Sequence, residues 1–250
     1  MKLVLGIIPA RYASSRFPGK PLALIQNKPM IQWVFEKASS VFEYLYVATD
    51  DERIKKEVEK FGGKVVMTSP DHGSGTERCR EASDILSSKL SLKFTHVVNI
   101  QGDEPLIKME QINELMSCFD LAETDIATLI QPFDKEENIA DPNMVKAVVD
   151  NKLKALYFSR AVIPYIRSAS PELWMQNNTY YKHIGLYAYT TKALQEITQL
   201  SSSPLEMAES LEQLRWLENG YRIQTRISNY QAIGIDTPDD LENLKRKLEL

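Results

Sequence analysis

Short apolar runs alternate with helical stripes along the first half of the chain, and this alternation restricts the fold more than any other feature. Leu3-Val4-Leu5-Gly6-Ile7-Ile8 is an unbroken apolar run of strand length, the pattern of a strand buried on both faces of a parallel sheet. Ile31, Val34, Phe35 and Ala38 then fall at i, i+3, i+4 and i+7, a core stripe for a helix that Pro29 can open. Tyr44–Ala48 reads as a second strand. Asp50-Asp51 can cap a helix with the stripe Ile54, Val58 and Phe61, which Gly62-Gly63 ends before a third strand, Lys64–Met67. Thr95–Ile100, a helix through Ile112, Leu115 and Phe119, and Asp125–Ile130 repeat the pattern. The alternation predicts an α/β layer with right-handed crossovers and a mainly parallel sheet. Val145–Val149 and Leu153–Phe158 flank Asp150-Asn151-Lys152, a hairpin signal, so the sheet should become mixed there.

In such a layer, ligands bind at the carboxyl edge of the strands, and the loop leaving the first strand is built for an anion. Pro9-Ala-Arg-Tyr-Ala-Ser-Ser-Arg-Phe-Pro-Gly-Lys-Pro21 sets Arg11, Arg16 and Lys20 among stiffening prolines, two serines and Gly19, a composition that brings backbone amides close to a polyanion such as a triphosphate. The first acidic residue of the chain is Glu36, although the net charge is −4. The loop matches neither common phosphate fingerprint, since Lys20 is followed by Pro21 and no Gly-x-Gly-x-x-Gly exists. A solvated basic loop would look the same.

Bulk properties narrow the class. A length of 250 residues with 43% hydrophobic content suits one enzyme-sized domain with at most a small appendage. A net negative chain lacks the broad basic face needed for nucleic acid or an anionic membrane, so neither is expected as a partner. Cys79 and Cys118 are far apart and indicate neither a disulfide framework nor a zinc site. The N-terminal apolar run is too short for a signal-peptide core or a membrane span, which makes cytoplasmic residence the default expectation.

Other strand ends carry polar blocks, each with a plain structural reading beside the functional one. Ser74-Gly-Thr-Glu-Arg78 precedes a helical stretch and sets backbone donors and Arg78 at a helix N-terminus, or is a helix start and nothing more; Asp71 and His72 read as turn residues. Gln101-Gly102-Asp103-Glu104-Pro105 follows a strand: Gly102 removes a side chain where a ligand would lie, and Asp103 offers a hard oxygen of the kind Mg²⁺ takes, or caps a helix. In Ala232-Ile-Gly-Ile-Asp-Thr-Pro-Asp-Asp240, Thr237, Pro238 and Asp240 make a helix start, leaving Asp236 free at a strand end. Residues 160–181 lose periodicity, as a lid, binding element or subunit contact would. His183 lies in a strand-like run and is by itself an ordinary histidine. Ser203-Pro204-Leu205-Glu206 starts a helix with Met207, Leu211 and Leu214 as its core stripe, while Glu209, Glu212, Gln213 and Trp216 form another face on which Glu209 reads as solvated.

The wording of five of these blocks resembles the sugar nucleotidyltransferases, and among them the Kdo (3-deoxy-manno-octulosonate) cytidylyltransferases: the loop Pro9–Leu22, Ser74–Arg78, Asn99–Pro105, Leu211-Glu-Gln-Leu-Arg215 and the block ending at Asp236. The resemblance runs from Leu3 to about Leu248. It implies a Rossmann-like nucleotide-diphospho-sugar transferase fold, one domain over 1–250 with a small subdomain at about 145–190 that builds a homodimer interface. It further implies transfer of CMP from CTP to Kdo with release of pyrophosphate, for lipopolysaccharide biosynthesis, with Mg²⁺ as cofactor held by Asp103 and Asp236. Pro9, Ala10, Arg11, Ser14, Lys20, Arg78, Gln101 and Asp103 are implied at the nucleotide, with Arg11, Arg16, Lys20, Asp103 and Asp236 as the catalytic set. Arg160, His183, Tyr187, Glu212 and Gln213 are implied at the sugar, Arg160 and His183 as basic partners for its carboxylate. Two rival readings are the same chemistry on an amino-substituted Kdo or a sialic acid, and a nucleotide-binding regulator without turnover.

Overall fold

The computed structural model describes residues 2–14, 16–121, 123–230 and 234–248. Along the chain, β1 (Val4–Ala10) leads through a small hairpin, β2 (Leu24–Ile25) and β3 (Lys28–Pro29), into α1 (Met30–Ser39). β4 (Tyr44–Thr49), α2 (Glu52–Lys60), β5 (Val65–Met67), α3 (Gly75–Leu90) and β6 (His96–Asn99) continue the alternation. Then come α4 (Met109–Ser117), β7 (Ile126–Pro132), β8 (Lys146–Val149), β9 (Ala155–Ser159), α5 (Trp174–Asn177) and β10 (Tyr181–Thr190). The chain closes with α6 (Thr191–Ile197), α7 (Pro204–Glu209), α8 (Glu212–Glu218), β11 (Ile223–Ile227) and α9 (Pro238–Leu248). Two compact units share these elements: Met1–Ile112, Tyr189–Thr198 and Ala232–Leu250 form the first, Asn113–Ala188 and Gln199–Gln231 the second.

In the first unit the strands run in the order β6-β1-β4-β5, all parallel, with Leu5 opposite both Tyr44 and Val97. Leu5, Ile7, Ile8, Val47, Ala48, Val97 and Val98 are completely or almost completely buried, which is why these runs are apolar on both faces. The helix starts follow their caps: Asp51 Oδ1 accepts the Arg53 amide, and Ser74 Oγ accepts that of Glu77. Because every strand points the same way, the segments after β1, β4, β5 and β6 leave from one edge. α9 packs its buried Leu241 and Leu244, together with Ile235, on Ile25 and Met30. The strand expected at 232–235 falls partly outside the described residues, and Gly234–Asp236 carry no regular structure.

The second unit is mixed. β11 lies parallel to β7 with Ile223 opposite Ile126, β10 lies beside β7, and β10-β8 and β8-β9 are antiparallel. The hairpin expected at Asp150-Asn151-Lys152 is present: Asp150 Oδ1 accepts the amides of Lys152 and Lys154, and Leu153 takes a left-handed φ of 59°. The single helix expected after Ser203 is two. Its start is a full capping box between Ser203 and Glu206, but Ser210 turns left-handed (φ 51°) and separates α7 from α8. Leu211 and Leu214 are buried as expected, whereas Met207 is 66% exposed and belongs to no core stripe. Together the two units give a mixed, mostly parallel sheet architecture flanked by helices.

Candidate active site

The loop after β1 closes on itself. The amides of Ser14 and Gly19 both donate to the Tyr12 carbonyl, at 3.0 and 2.9 Å, and Gly19 takes a φ of 71° that a side chain would oppose. Its amide is therefore spent inside the loop rather than offered to a ligand, against the sequence expectation. A Cβ on Gly19 would also meet the Tyr12 ring at 3.1 Å. The Arg53 guanidinium lies over that ring, 3.3 Å from its centroid, and Asp51 holds Arg53 with two bonds of 3.0 and 2.6 Å. α2 thus steadies the loop from outside.

Three remote segments meet at Lys20. Its Nζ lies 2.5 Å from Asp103 Oδ2 and 3.4 Å from Asp236 Oδ1, and Arg16 Nη2 lies 3.1 Å from that same Asp236 oxygen. Asp236 is placed by backbone: the Ile235 amide donates to the Asp103 carbonyl at 2.9 Å, and the Asp236 amide donates to Asp240 Oδ2 at 3.1 Å. Asp240 and Thr237 cap α9 reciprocally, as expected. Two carboxylates turned toward one ammonium present hard oxygens to one point, so the donor set fits a divalent cation that keeps waters and phosphate oxygens as its other ligands. No group of three or more metal-binding side chains occurs among the described residues, and a protein pair alone suits Mg²⁺. Glu104, next in sequence, is buried; burial and the Asp103 charge raise its carboxyl to about 7.

A cleft of about 260 Å³ runs over these groups, lined by Pro9, Ala10, Arg11, Ser14, Arg16, Lys20, Gln101, Asp103 and Asp236, and also by His72, Ser74 and Arg78. Every nucleotide and catalytic candidate from the sequence therefore borders one cleft. Gly102 lines the same cleft, as its place in the sequence suggested, and it also serves the contact between chain segments, since a Cβ there would meet the Pro9 carbonyl oxygen at 3.2 Å. Arg78 is almost fully buried, with Nη1 donating to Thr68 Oγ1 at 2.6 Å and Nη2 3.6 Å from Asp50. His72, taken from sequence for a turn residue, is the lining residue that sequence reading missed; the signal that could have found it is its position two residues before the Ser74 cap.

The five sugar candidates lie in the second unit. Phe158, His183, Tyr187 and Trp216 form a row of edge-on and tilted ring contacts with centroid separations of 5.0, 5.3 and 5.2 Å. His183 Nε2 lies 2.9 Å from Thr128 Oγ1, and burial pulls the imidazole down to about 4. His183 is therefore neutral near pH 7 and is not the basic partner expected for a carboxylate. Arg160 points its guanidinium at carbonyls, Nε to Glu209, Nη1 to Pro142 and Nη2 to Ser210. Glu209, expected to be solvated, instead accepts the Ser159 hydroxyl at 2.5 Å and the Arg160 amide at 2.9 Å. Glu212 Oε1 accepts from Arg215 at 3.1 Å. Burial, with the Glu212 charge near it, raises the Tyr187 phenol well above its ordinary value. Gln213 is only 5% exposed, and its Nε2 has no hydrogen-bond partner among the described residues, a buried donor left for a ligand.

A parallel α/β unit whose strand-end loops gather cations and a carboxylate pair in one cleft has the layout of a nucleotidyltransferase. The chain belongs to the cytidylyltransferase family, whose model matches residues 5–225. It is 55% identical over 248 residues to the 3-deoxy-manno-octulosonate cytidylyltransferase of Bacteroides thetaiotaomicron, with 98% of each chain covered. It is 47% identical over 249 residues to the 8-amino-3,8-dideoxy-manno-octulosonate cytidylyltransferase of Shewanella putrefaciens, again with 98% of each covered. Among solved structures, CMP:2-keto-3-deoxy-manno-octonic acid synthetase complexed with CTP is similar with a TM-score of 0.89 and 41% identity, over 100% of this chain and 99% of that one.

Proposed function

We propose that this chain transfers CMP from CTP to Kdo, giving CMP-Kdo and pyrophosphate. The observation that carries the reading is the meeting of Lys20, Asp103 and Asp236 in a cleft that Arg11, Arg16 and Arg78 also line, in a chain 55% identical over 98% of its length to a relative named for that activity.

The anomeric hydroxyl of the acceptor attacks the α-phosphorus in line with the departing pyrophosphate. Mg²⁺ held by Asp103 and Asp236 would lower the pKa of that hydroxyl and offset charge on the phosphate. Arg11, Arg16 and Lys20 bind the triphosphate and stabilise the charge that gathers on the leaving group, each such group contributing on the order of 10²-fold in rate. Arg78 and Gln101, with the backbone of Pro9 and Ala10 and the Ser14 side chain, hold the nucleoside and first phosphate. No protein nucleophile is needed, because the acceptor supplies the attacking oxygen.

On the acceptor side Arg160 is the cation for the Kdo carboxylate, while neutral His183, Tyr187, Glu212 and Gln213 suit a polyol. We further assign the chain to the cytoplasm, where CTP is made, to lipopolysaccharide biosynthesis, and to a homodimer built through residues at about 145–190. An amino-substituted Kdo is the second reading, since relatives named for it align over the same length; the higher identity goes with Kdo. Pyrophosphate release, measured with CTP and each sugar side by side, decides. Turnover with Kdo and not with the 8-amino sugar or a sialic acid is the outcome expected, and no release with any of them would leave the regulator reading.

A further inference from the structure

The segment between β5 and α3 is written by the side chains of one face of α3. Glu77 Oε2 accepts the Gly73 amide at 2.8 Å, and Arg78 Nη1 reaches Thr68 Oγ1 at 2.6 Å and the Ser69 carbonyl at 3.3 Å. Glu81 Oε2 accepts the Ser69 amide at 2.8 Å and lies 2.5 Å from His72 Nε2. One carboxylate oxygen therefore fixes both ends of a short arc. Burial alone would raise the Glu81 carboxyl, but the Ser69 amide, His72 and Arg78 outweigh it and hold it below its usual range. An ionised carboxylate can only accept, so the proton between the pair sits on Nε2 and the ring orientation is set. His72, 14% exposed at the side chain, borders the cleft; Glu81 does not.

On the reading of the cleft as a CTP site, the phosphates fall to the loop that carries Arg11, Arg16 and Lys20, and the wall made by His72, Ser74, Gly75 and Arg78 falls to the nucleoside. We propose that His72 is a nucleotide contact on that wall and that Glu81 is its positioning residue, holding ring and arc in the conformation that receives the ligand. A helix side chain outside the cleft then controls CTP affinity without touching CTP.

The test measures CTP binding by calorimetry without acceptor, then steady-state kinetics, for His72→Ala, Glu81→Ala, Glu81→Gln and the His72→Ala/Glu81→Ala double variant. Each single alanine variant should weaken CTP about tenfold, the loss of one hydrogen bond to the nucleoside. The double variant should be no weaker than either, since the two act as one unit. KM for CTP should rise with kcat and the acceptor KM within about twofold of wild type, and Glu81→Gln should recover part of the loss. If Glu81→Ala fails to fold, His72→Ala and Glu81→Gln carry the test. CTP affinity within twofold of wild type in His72→Ala, or additive losses in the double variant, overturns the inference. Absence of CTP binding by the wild-type protein would instead overturn the functional reading on which it rests.

Discussion

The amide of Ile235 donates to the carbonyl of Asp103, and through that one backbone bond the carboxylate of Asp236 is delivered beside the carboxylate of Asp103. Both then face Lys20 Nζ. The pair is a product of tertiary structure, since neither residue has the other anywhere near it in sequence.

Asp103→Asn and Asp236→Asn should each lower kcat for pyrophosphate release by at least 10²-fold, because each removes a charged oxygen from the proposed cation site. The side chain is isosteric and partly exposed, so the melting temperature should move by a few degrees at most. Wild-type turnover in either variant would remove the metal assignment.

Lys20→Arg should fail to restore what Lys20→Ala loses. The compact ammonium reaches both carboxylates from a stem that is only 15% exposed, and a planar guanidinium needs a different geometry and more room. Titration of CTP at saturating acceptor should show a loss on the order of 10²-fold in kcat/KM for both variants.

Gly19→Ala combines a left-handed backbone with a contact at 3.1 Å to the Tyr12 ring. The strain should cost about 1–2 kcal/mol and loosen the basic loop, raising KM for CTP. Thermal melting and CTP kinetics check the two halves separately, and an unchanged KM would show that the loop geometry is not what binds.

Gln213→Leu removes a buried amide donor that has no partner among the described residues. Stability should hold or rise by about 1–2 kcal/mol, while KM for the acceptor rises tenfold or more and KM for CTP stays put. A clear fall in denaturation midpoint would mean that the amide is structural.

His183 titrates at about 4 in the fold against 6.5 ordinarily, so between those values the unfolded chain binds more protons. The contribution is present above pH 6.5 and is lost as pH falls toward 4, at most on the order of 3 kcal/mol. His96 is displaced the same way by burial, so the measurement is the difference between wild type and His183→Gln in urea melts from pH 7 to 4. That difference should shrink as the pH drops; a constant difference refutes the assignment of a neutral buried ring.

Sequence sufficed where a local rule governs. The β1–β6 alternation, the Ser74 and Thr237 helix starts and the Asp150 turn each follow from a few neighbouring residues and stand as expected. It failed where the determinant was distant. Ser210 breaks the helix with no glycine or proline to announce it, because the Arg160 Nη2 donates to its carbonyl and Glu209 is engaged by Ser159 and Arg160, some fifty residues earlier. Gly102 reads as ligand space and does border the cleft, but its second task, clearance for the Pro9 carbonyl, is invisible in the sequence. His183 is by itself an ordinary histidine in the sequence, and the basic role that the resemblance implies for it does not allow for Phe158 and Tyr187 packing against the ring. Glu81, four residues beyond Glu77 on an ordinary helix, carries no motif at all.

The packing of α9 on Ile25 and Met30 is a small apolar cluster beside the larger core beneath β1 and β4, and Asp236 hangs at its entrance. Fraying of α9 would withdraw the Asp236 carboxylate from Lys20 while most of the molecule stayed intact. Under mild denaturant the protein should therefore go silent before it melts, with turnover reporting the tail and circular dichroism reporting the body.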